Sequence, residues 1–153
     1  MEKKEFKVTA IKNGTVIDHV PSSELFRVIE ILGLAAYPNQ LTFGMNLESK
    51  KLGTKAIIKI ADCFFEDDDI NRIALIAPQA KLNIIRDYKV VEKRRVSIPE
   101  TIVGIARCVN PHCVTNHQPI PTRFGAVRDE QGIRLTCRYC EKVTDSRALK
   151  IIR

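Results

Sequence analysis

The spacing of apolar residues predicts an α+β fold in two parts, a sheet covered by two helices followed by a small all-β unit. Three observations carry this. Two segments repeat apolar residues at helical spacing, Leu25-Val28-Ile29-Leu32 and Ile70-Ile73-Ala74-Ala77. Around them the period falls to two, as in Leu41-Phe43-Met45-Leu47, which predicts strands with one buried face. The composition then changes near residue 100. Residues 101–153 hold 9 basic against 4 acidic residues and four of the five cysteines, whereas the first 100 hold 16 against 14.

The first part is expected to open with a hairpin from Phe6 to Val20, with Asn13-Gly14 between its arms. Both central positions of a type I′ turn need positive φ, which Asn and Gly tolerate best. Pro21-Ser22-Ser23 starts the first helix and Gly33 stands where a left-handed cap belongs. Strands follow at Leu41 to Leu47 and Lys55 to Ala61. The second helix spans about Glu66 to Ala77, with Asp67-Asp68-Asp69 at the positive end of its dipole and Pro78 as its stop. Leu82 to Val91 supplies one more strand region, bent at Asp87. The order ββαββαβ gives a ferredoxin-like antiparallel sheet with two helices on one face and an extra strand in front. Lys93-Arg94-Arg95-Val96-Ser97-Ile98-Pro99 is a basic connector, placing the domains at 1–98 and 99–153.

The second part has only short strand-like runs, at Ile102 to Ala106, Phe124 to Val127 and Ile133 to Thr136. About 50 such residues bury too little apolar area to fold unaided. Cys108-x4-Cys113 and Cys137-x2-Cys140 supply the help. Two knuckle turns on adjacent hairpins bring four thiolates to one ion, and a closed four-thiolate set favours structural zinc, with iron as its competitor. The expected unit is therefore all-β and zinc-ribbon-like. A redox pair at Cys137 and Cys140 would leave Cys108 and Cys113 unexplained. His112 and His117 could replace a thiolate, but the flanking position of His112 favours solvent. Cys63, beside Phe64 and Phe65, is expected to be a free buried thiol.

No apolar run approaches the roughly 20 residues of a membrane span. The opening Met-Glu-Lys-Lys-Glu-Phe mixes acids with bases ahead of no apolar stretch, so no secretory leader and a cytoplasmic, reducing compartment are expected. The net charge of +7 and the Arg-rich second part call for an anionic partner, nucleic acid or an acidic protein face. No Gly-rich phosphate loop and no nucleophile–base constellation is present. Lys55 and Lys59 share one face of a strand, with Asp18-His19 and Lys93 at other strand ends. Such lysines suit a polyphosphate, and they equally suit a solvated sheet edge guarded against aggregation.

Ala10 to Pro21 resembles the opening hairpin of the regulatory chain of aspartate carbamoyltransferase. Further stretches agree in order: Ile57 to Ile60, Ala74 to Ala80, Asn83 to Ile85, Tyr88 to Val91, Pro99-Glu100, both cysteine pairs and Glu141. The resemblance covers nearly the whole chain. It implies a non-catalytic subunit that forms homodimers through its first domain and docks its zinc domain on catalytic chains. It also implies pyrimidine biosynthesis as the pathway, with CTP and UTP inhibiting, ATP activating, and no nucleic acid or membrane as partner. On this resemblance base and ribose would lie against Val8, Ala10, Ile11, Val16 and Asp18. Carbonyls near Ile11 and Tyr88 would meet the base amino group, and Asn83, Ile85 and Val90 would line the other wall. Lys59 would reach sugar and base, while His19, Lys93 and Lys55 would meet phosphates. One zinc per chain would sit on Cys108, Cys113, Cys137 and Cys140. Thr9 stands where the family would carry a carboxylate.

Overall fold

A computed structural model describes residues 10–152. The first arm of the expected hairpin, with Phe6, Val8 and Thr9, and the strand it would place in front lie outside the described residues. The described chain begins its sheet at β1 (Gly14–Val20) and continues through α1 (Leu25–Ile31), β2 (Leu41–Ser49), β3 (Gly53–Ala61), α2 (Asp67–Ile76), β4 (Lys81–Arg86) and β5 (Lys89–Arg95). These five strands form one antiparallel sheet in the order β2-β3-β1-β4-β5. The split β-α-β arrangement expected from the sequence is therefore present, with an additional strand at the end of the unit.

Alternation sets the two faces. Ile17 pairs with Ile58 and Leu82, and all three are fully buried. Leu25, Val28 and Ile31 of α1 and Ile70, Ile73 and Ala74 of α2 cover this row in a single core. The inward arc of α1 includes Ile31, while Ile29 and Leu32 of the expected stripe lie partly buried at its border. Gly33 then adopts φ 67°, as a left-handed cap requires.

Four expectations are corrected. Leu82 to Val91 is two strands, β4 and β5, reversed by Asp87-Tyr88 at φ 50° and 67°. This mirror-image turn lacks the glycine that usually announces it, and it is held from outside: the Tyr88 amide donates to the Lys12 carbonyl and the Asp87 amide to Asn13 Oδ1. Phe43 and Met45 of β2 are exposed: among the described residues β2 is an edge strand, and only Phe26 of α1 reaches over Phe43. Lys93, Arg94 and Arg95 belong to β5, so the connector begins only at Val96, which is buried in the first core. Cys63 is only partly buried.

The second unit contains β6 (Thr101–Val103), β7 (Ala106–Arg107), β8 (Arg123–Asp129), β9 (Gly132–Cys137), β10 (Val143–Asp145) and β11 (Lys150–Ile151). Four of them form an antiparallel sheet, β10-β9-β8-β6, and β11 pairs with β7. Ile102, Phe124, Ile133 and Leu135 form its core together with Cys108, Cys113 and Cys137. Leu75 of α2 is buried in this second core, not the first. The Arg27 guanidinium donates to the Leu149 carbonyl (2.9 Å) and Arg72 to that of Ile152 (2.8 Å), tying both helices to the chain's last described residues.

Thr15 is fully buried in β1, and its hydroxyl donates to the Cys63 carbonyl at 2.6 Å. The near-isosteric Thr15→Val would leave that carbonyl without its donor at a cost of roughly 1–3 kcal/mol. Urea denaturation should show a lower midpoint with an unchanged slope. An unaltered midpoint would mean that the bond contributes nothing net.

Candidate functional site

Two constellations stand out, one in each unit. In the second, the chain turns twice. Cys108 and Cys113 flank a tight turn in which the Cys113 amide donates to the Asn110 carbonyl (3.0 Å). Cys137 and Cys140 flank another, closed by the Glu141 amide on the Cys137 carbonyl (2.9 Å), with Glu141 left-handed at φ 65°. The four sulfurs lie within 4.8 Å of one another, with Cys108–Cys140 at 3.6 Å and Cys113–Cys137 at 3.7 Å. Four thiolates bonded at about 2.3 Å to one tetrahedral ion would stand about 3.8 Å apart. The sequence-predicted ligands are thus brought together at the separation a thiophilic ion needs.

Burial pushes the Cys108 thiol up to about 12 and raises Cys137 as well. Burial also opposes ionisation of Cys140, but hydrogen bonds from the Lys142 amide and the Asn110 side chain outweigh it and bring that thiol to about 6. His112 is exposed, and His117 Nε2 lies 2.7 Å from the Pro111 carbonyl, so both histidines stay out of the cluster. Asn116 was not anticipated. Its amide donates to the carbonyls of Cys108 (3.0 Å) and Asn110 (2.7 Å) and so braces the first turn. Only the polar Thr115-Asn116 pair just after Cys113 could have signalled it.

The other constellation is the sheet face opposite the helices. Direct pairing sets Lys59, Val16, Asn83 and Lys93 in one row across β3, β1, β4 and β5. Three inter-strand steps of roughly 4.8 Å separate its ends. The next row is Ala61, Gly14, Ile85 and Val90. Gly14 lies at φ 146°, and a Cβ there would strike the Ile60 carbonyl oxygen, so only glycine lets the chain pass. Ile11 lies beside it, and Ile11 and Ile85 are both buried although they stand outside the helix-covered core. The Tyr88–Lys12 bond holds the Ile11 segment against the β4–β5 turn. Ala10 is exposed just ahead of it, and Val8 lies outside the described residues.

The third row is charged. Asp18 pairs across the sheet with Lys81, and Lys81 with Arg95. Asp18 accepts from Lys55 Nζ at 3.0 Å and from the His19 amide at 2.6 Å, and His19 sits at φ 60° where β1 leaves regular register. His19 Nδ1 is buried with no hydrogen-bond partner. Burial also lowers the Lys59 pKa. One end of the face is apolar and the other cationic. Of the sequence-predicted nucleotide set, Val16, Lys59, Asn83, Lys93, Ile85, Val90 and Asp18 lie in its rows, Tyr88 lies in the β4–β5 turn at its border, and Lys55 is already committed to Asp18.

Comparison with known proteins agrees with this division. Residues 6–97 match the family model described as the allosteric domain of the aspartate carbamoyltransferase regulatory chain, and residues 100–150 its metal binding domain. Proteins named aspartate carbamoyltransferase regulatory chain are similar over almost the full length. That of Phocaeicola vulgatus is 51% identical over 150 residues, 98% of this chain and 96% of its own. That of Bacteroides thetaiotaomicron is 54% identical over 140 residues, 92% and 91%. That of Pyrococcus abyssi is 48% identical over 143 residues, 92% and 93%. With an allosteric and a metal-binding domain joined in this order, the chain belongs to the family of aspartate carbamoyltransferase regulatory chains.

Proposed function

We propose that this chain is the non-catalytic subunit through which nucleoside triphosphates control an aspartate carbamoyltransferase, in the cytoplasm and on the route to pyrimidines. Residues 1–98 bind the nucleotide, and residues 99–153, closed by one zinc, dock on the catalytic chain. CTP and UTP are the inhibitory effectors and ATP the activating one. The observation that carries this reading is the polarity of the open sheet face. A base and ribose suit the end formed by Ile11, Ile85 and Val90 with Val16 in the row beside it, and phosphates suit the opposite end with His19 and Lys55, within one row of Lys93. Asn83 and Lys59 lie between, where sugar and base edges need hydrogen bonds.

Zinc on Cys108, Cys113, Cys137 and Cys140 would supply folding energy to a unit whose own core is small. Seven arginines in residues 101–153 suit an acidic face of a catalytic chain. Homodimer formation suits the edge strand β2, where Phe26 and Phe43 meet edge to face, ring centres 5.9 Å apart, yet both stay largely exposed.

Elemental analysis should find one zinc per chain. Chelation should unfold the chain from about Thr101 onward. Cys113→Ser should abolish assembly with catalytic trimers in analytical ultracentrifugation while nucleotide binding survives. Assembly and CTP inhibition that persist in Cys113→Ser would exclude the metal unit as the docking element.

Lys93→Ala should weaken triphosphate binding about ten-fold or more and monophosphate binding less, because it removes a charge-assisted contact to phosphate. Lys59→Ala should weaken all nucleotides alike. Equal losses for both variants across the ligand series would contradict these roles.

Burial, aided by Lys55, Lys81 and Lys51 and opposed by Asp18, holds the His19 imidazole below its ordinary value of 6.5. The unfolded chain therefore takes up this proton first as pH falls. The contribution of His19 to stability is full above pH 6.5 and is lost as pH drops through the folded value. Triphosphate affinity should rise over the same window, since His19 gains charge toward phosphate. An NMR titration should place His19 below 6.5 in the free chain, and Asp18→Asn should lower it further. Titration above 6.5 would refute this.

A further inference from the structure

The two halves of the thiol cluster are built differently. Cys137 ends β9, where it pairs with Phe124 of β8. Its amide donates to the Lys142 carbonyl (3.0 Å), and the Arg138 amide donates to the Arg123 carbonyl (2.8 Å). Backbone hydrogen bonds therefore tie the second turn to the sheet, with two residues between its cysteines. Cys108 and Cys113 lie outside any strand and have four residues between them.

One residue takes the place of the sheet there. Asn116 ends a short 3₁₀ turn (Val114–Asn116), and its backbone amide donates to the Cys113 carbonyl (3.0 Å). Its side-chain Nδ2 donates to the carbonyls of Cys108 (3.0 Å) and Asn110 (2.7 Å). Asn116 thus grips both cysteines of the first pair, Cys113 through its backbone and Cys108 through its side chain. Its Oδ1 accepts from Arg107 Nε at 3.2 Å. The amide has one workable orientation, because reversing it would set Oδ1 against two carbonyl oxygens and Nδ2 against a guanidinium. On the same turn the Thr115 hydroxyl stands 3.2 Å from the Cys113 sulfur. Arg107, Thr115 and Asn116 also line a cavity of about 760 Å³ that opens to solvent, so the brace of the first turn is accessible from outside.

We propose that Asn116 is a positioning residue for the metal centre: by spanning Cys108 and Cys113 it fixes their separation, and its release lets this pair open while Cys137 and Cys140 stay in place. The first turn is the gate of the centre and the second its fixed seat. This role rests on the reading of the four cysteines as a metal site. Groups that orient a metal's ligands govern its affinity by about ten- to hundred-fold.

The test is metal exchange in the full chain loaded with zinc or cobalt(II). Asn116→Ala should release zinc to a chelator about ten- to hundred-fold faster. It should also change the ligand-field absorption of bound cobalt, because two of the four thiolates lose their fixed spacing. Asn116→Gln keeps both donors and the acceptor on a longer arm and should recover part of the loss. Thr122→Val removes the buried hydroxyl that donates to the Ala106 carbonyl, a bond of the same unit outside both cysteine turns, and should leave the cobalt spectrum unaltered. The order of opening is read on the native chain, by iodoacetamide labelling during metal release and mass-spectrometric mapping. Cys108 and Cys113 should be labelled before Cys137 and Cys140. Exposure alone would favour Cys140, which is the least buried of the four. Where Asn116→Ala does not fold, the labelling order and the release rate of Asn116→Gln decide. Labelling that begins at Cys137 or Cys140 overturns the gate. Zinc release and a cobalt spectrum indifferent to Asn116→Ala overturn the role of Asn116, as does a spectrum that changes equally in Thr122→Val. A native chain that takes up neither zinc nor cobalt overturns the metal reading itself.

Discussion

Four sulfurs gathered within 4.8 Å are the constraint on which the second unit depends. Three of them are buried among Ile102, Phe124 and Leu135, so the thiols are a large part of the core they would pin. Buried thiols resist ionisation, and Cys108 and Cys137 are both raised. A cation reverses that balance, because the thiolate is the form it binds. The short strands β6 to β11 then need only connect fixed points. This explains how two-residue strands such as β7 and β11 persist in so small a unit.

The first unit obtains its order differently, from the two sides of one sheet. Ile17, Ile58 and Leu82 point to the helices, and their neighbours Val16, Lys59 and Asn83 must then point away. A shift of one residue in register would exchange the two sets. The apolar core thus fixes the open face as strictly as it fixes stability. The Gly14 backbone and the left-handed His19 bracket β1, setting where the apolar end of that face begins and where the charged end stops.

Much of this was legible from local spacing. Helical stripes gave α1 and α2, alternation gave β2 and β3, and the two cysteine pairs gave the thiol cluster. What escaped has physical reasons. The Asp87-Tyr88 reversal carries no glycine and is stabilised by Lys12 and Asn13, some 75 residues earlier in the chain, so no local window contains its cause. Phe43 and Met45 follow a buried pattern but lie on an edge, where periodicity states which residues share a face and not whether anything covers it. Leu75 stands outside the Ile70-Ile73-Ala74-Ala77 stripe and is buried in another core, because a stripe marks one face of a helix and says nothing of what packs on its other side.

The position of Leu75 makes α2 a mechanical element. The helix has one side packed into the sheet core through Ile70, Ile73 and Ala74 and another wedged into the second unit, and Arg72 is anchored to the Ile152 carbonyl. Ten residues make a rigid rod of about 15 Å, so a tilt of about 5° at one end displaces the other by roughly 1.3 Å. Close-packed cores absorb little of such a displacement internally. A change in sheet twist beneath α2 would therefore leave the first unit as a movement of the second, with the helix as crank and the fixed thiol cluster as the load it turns.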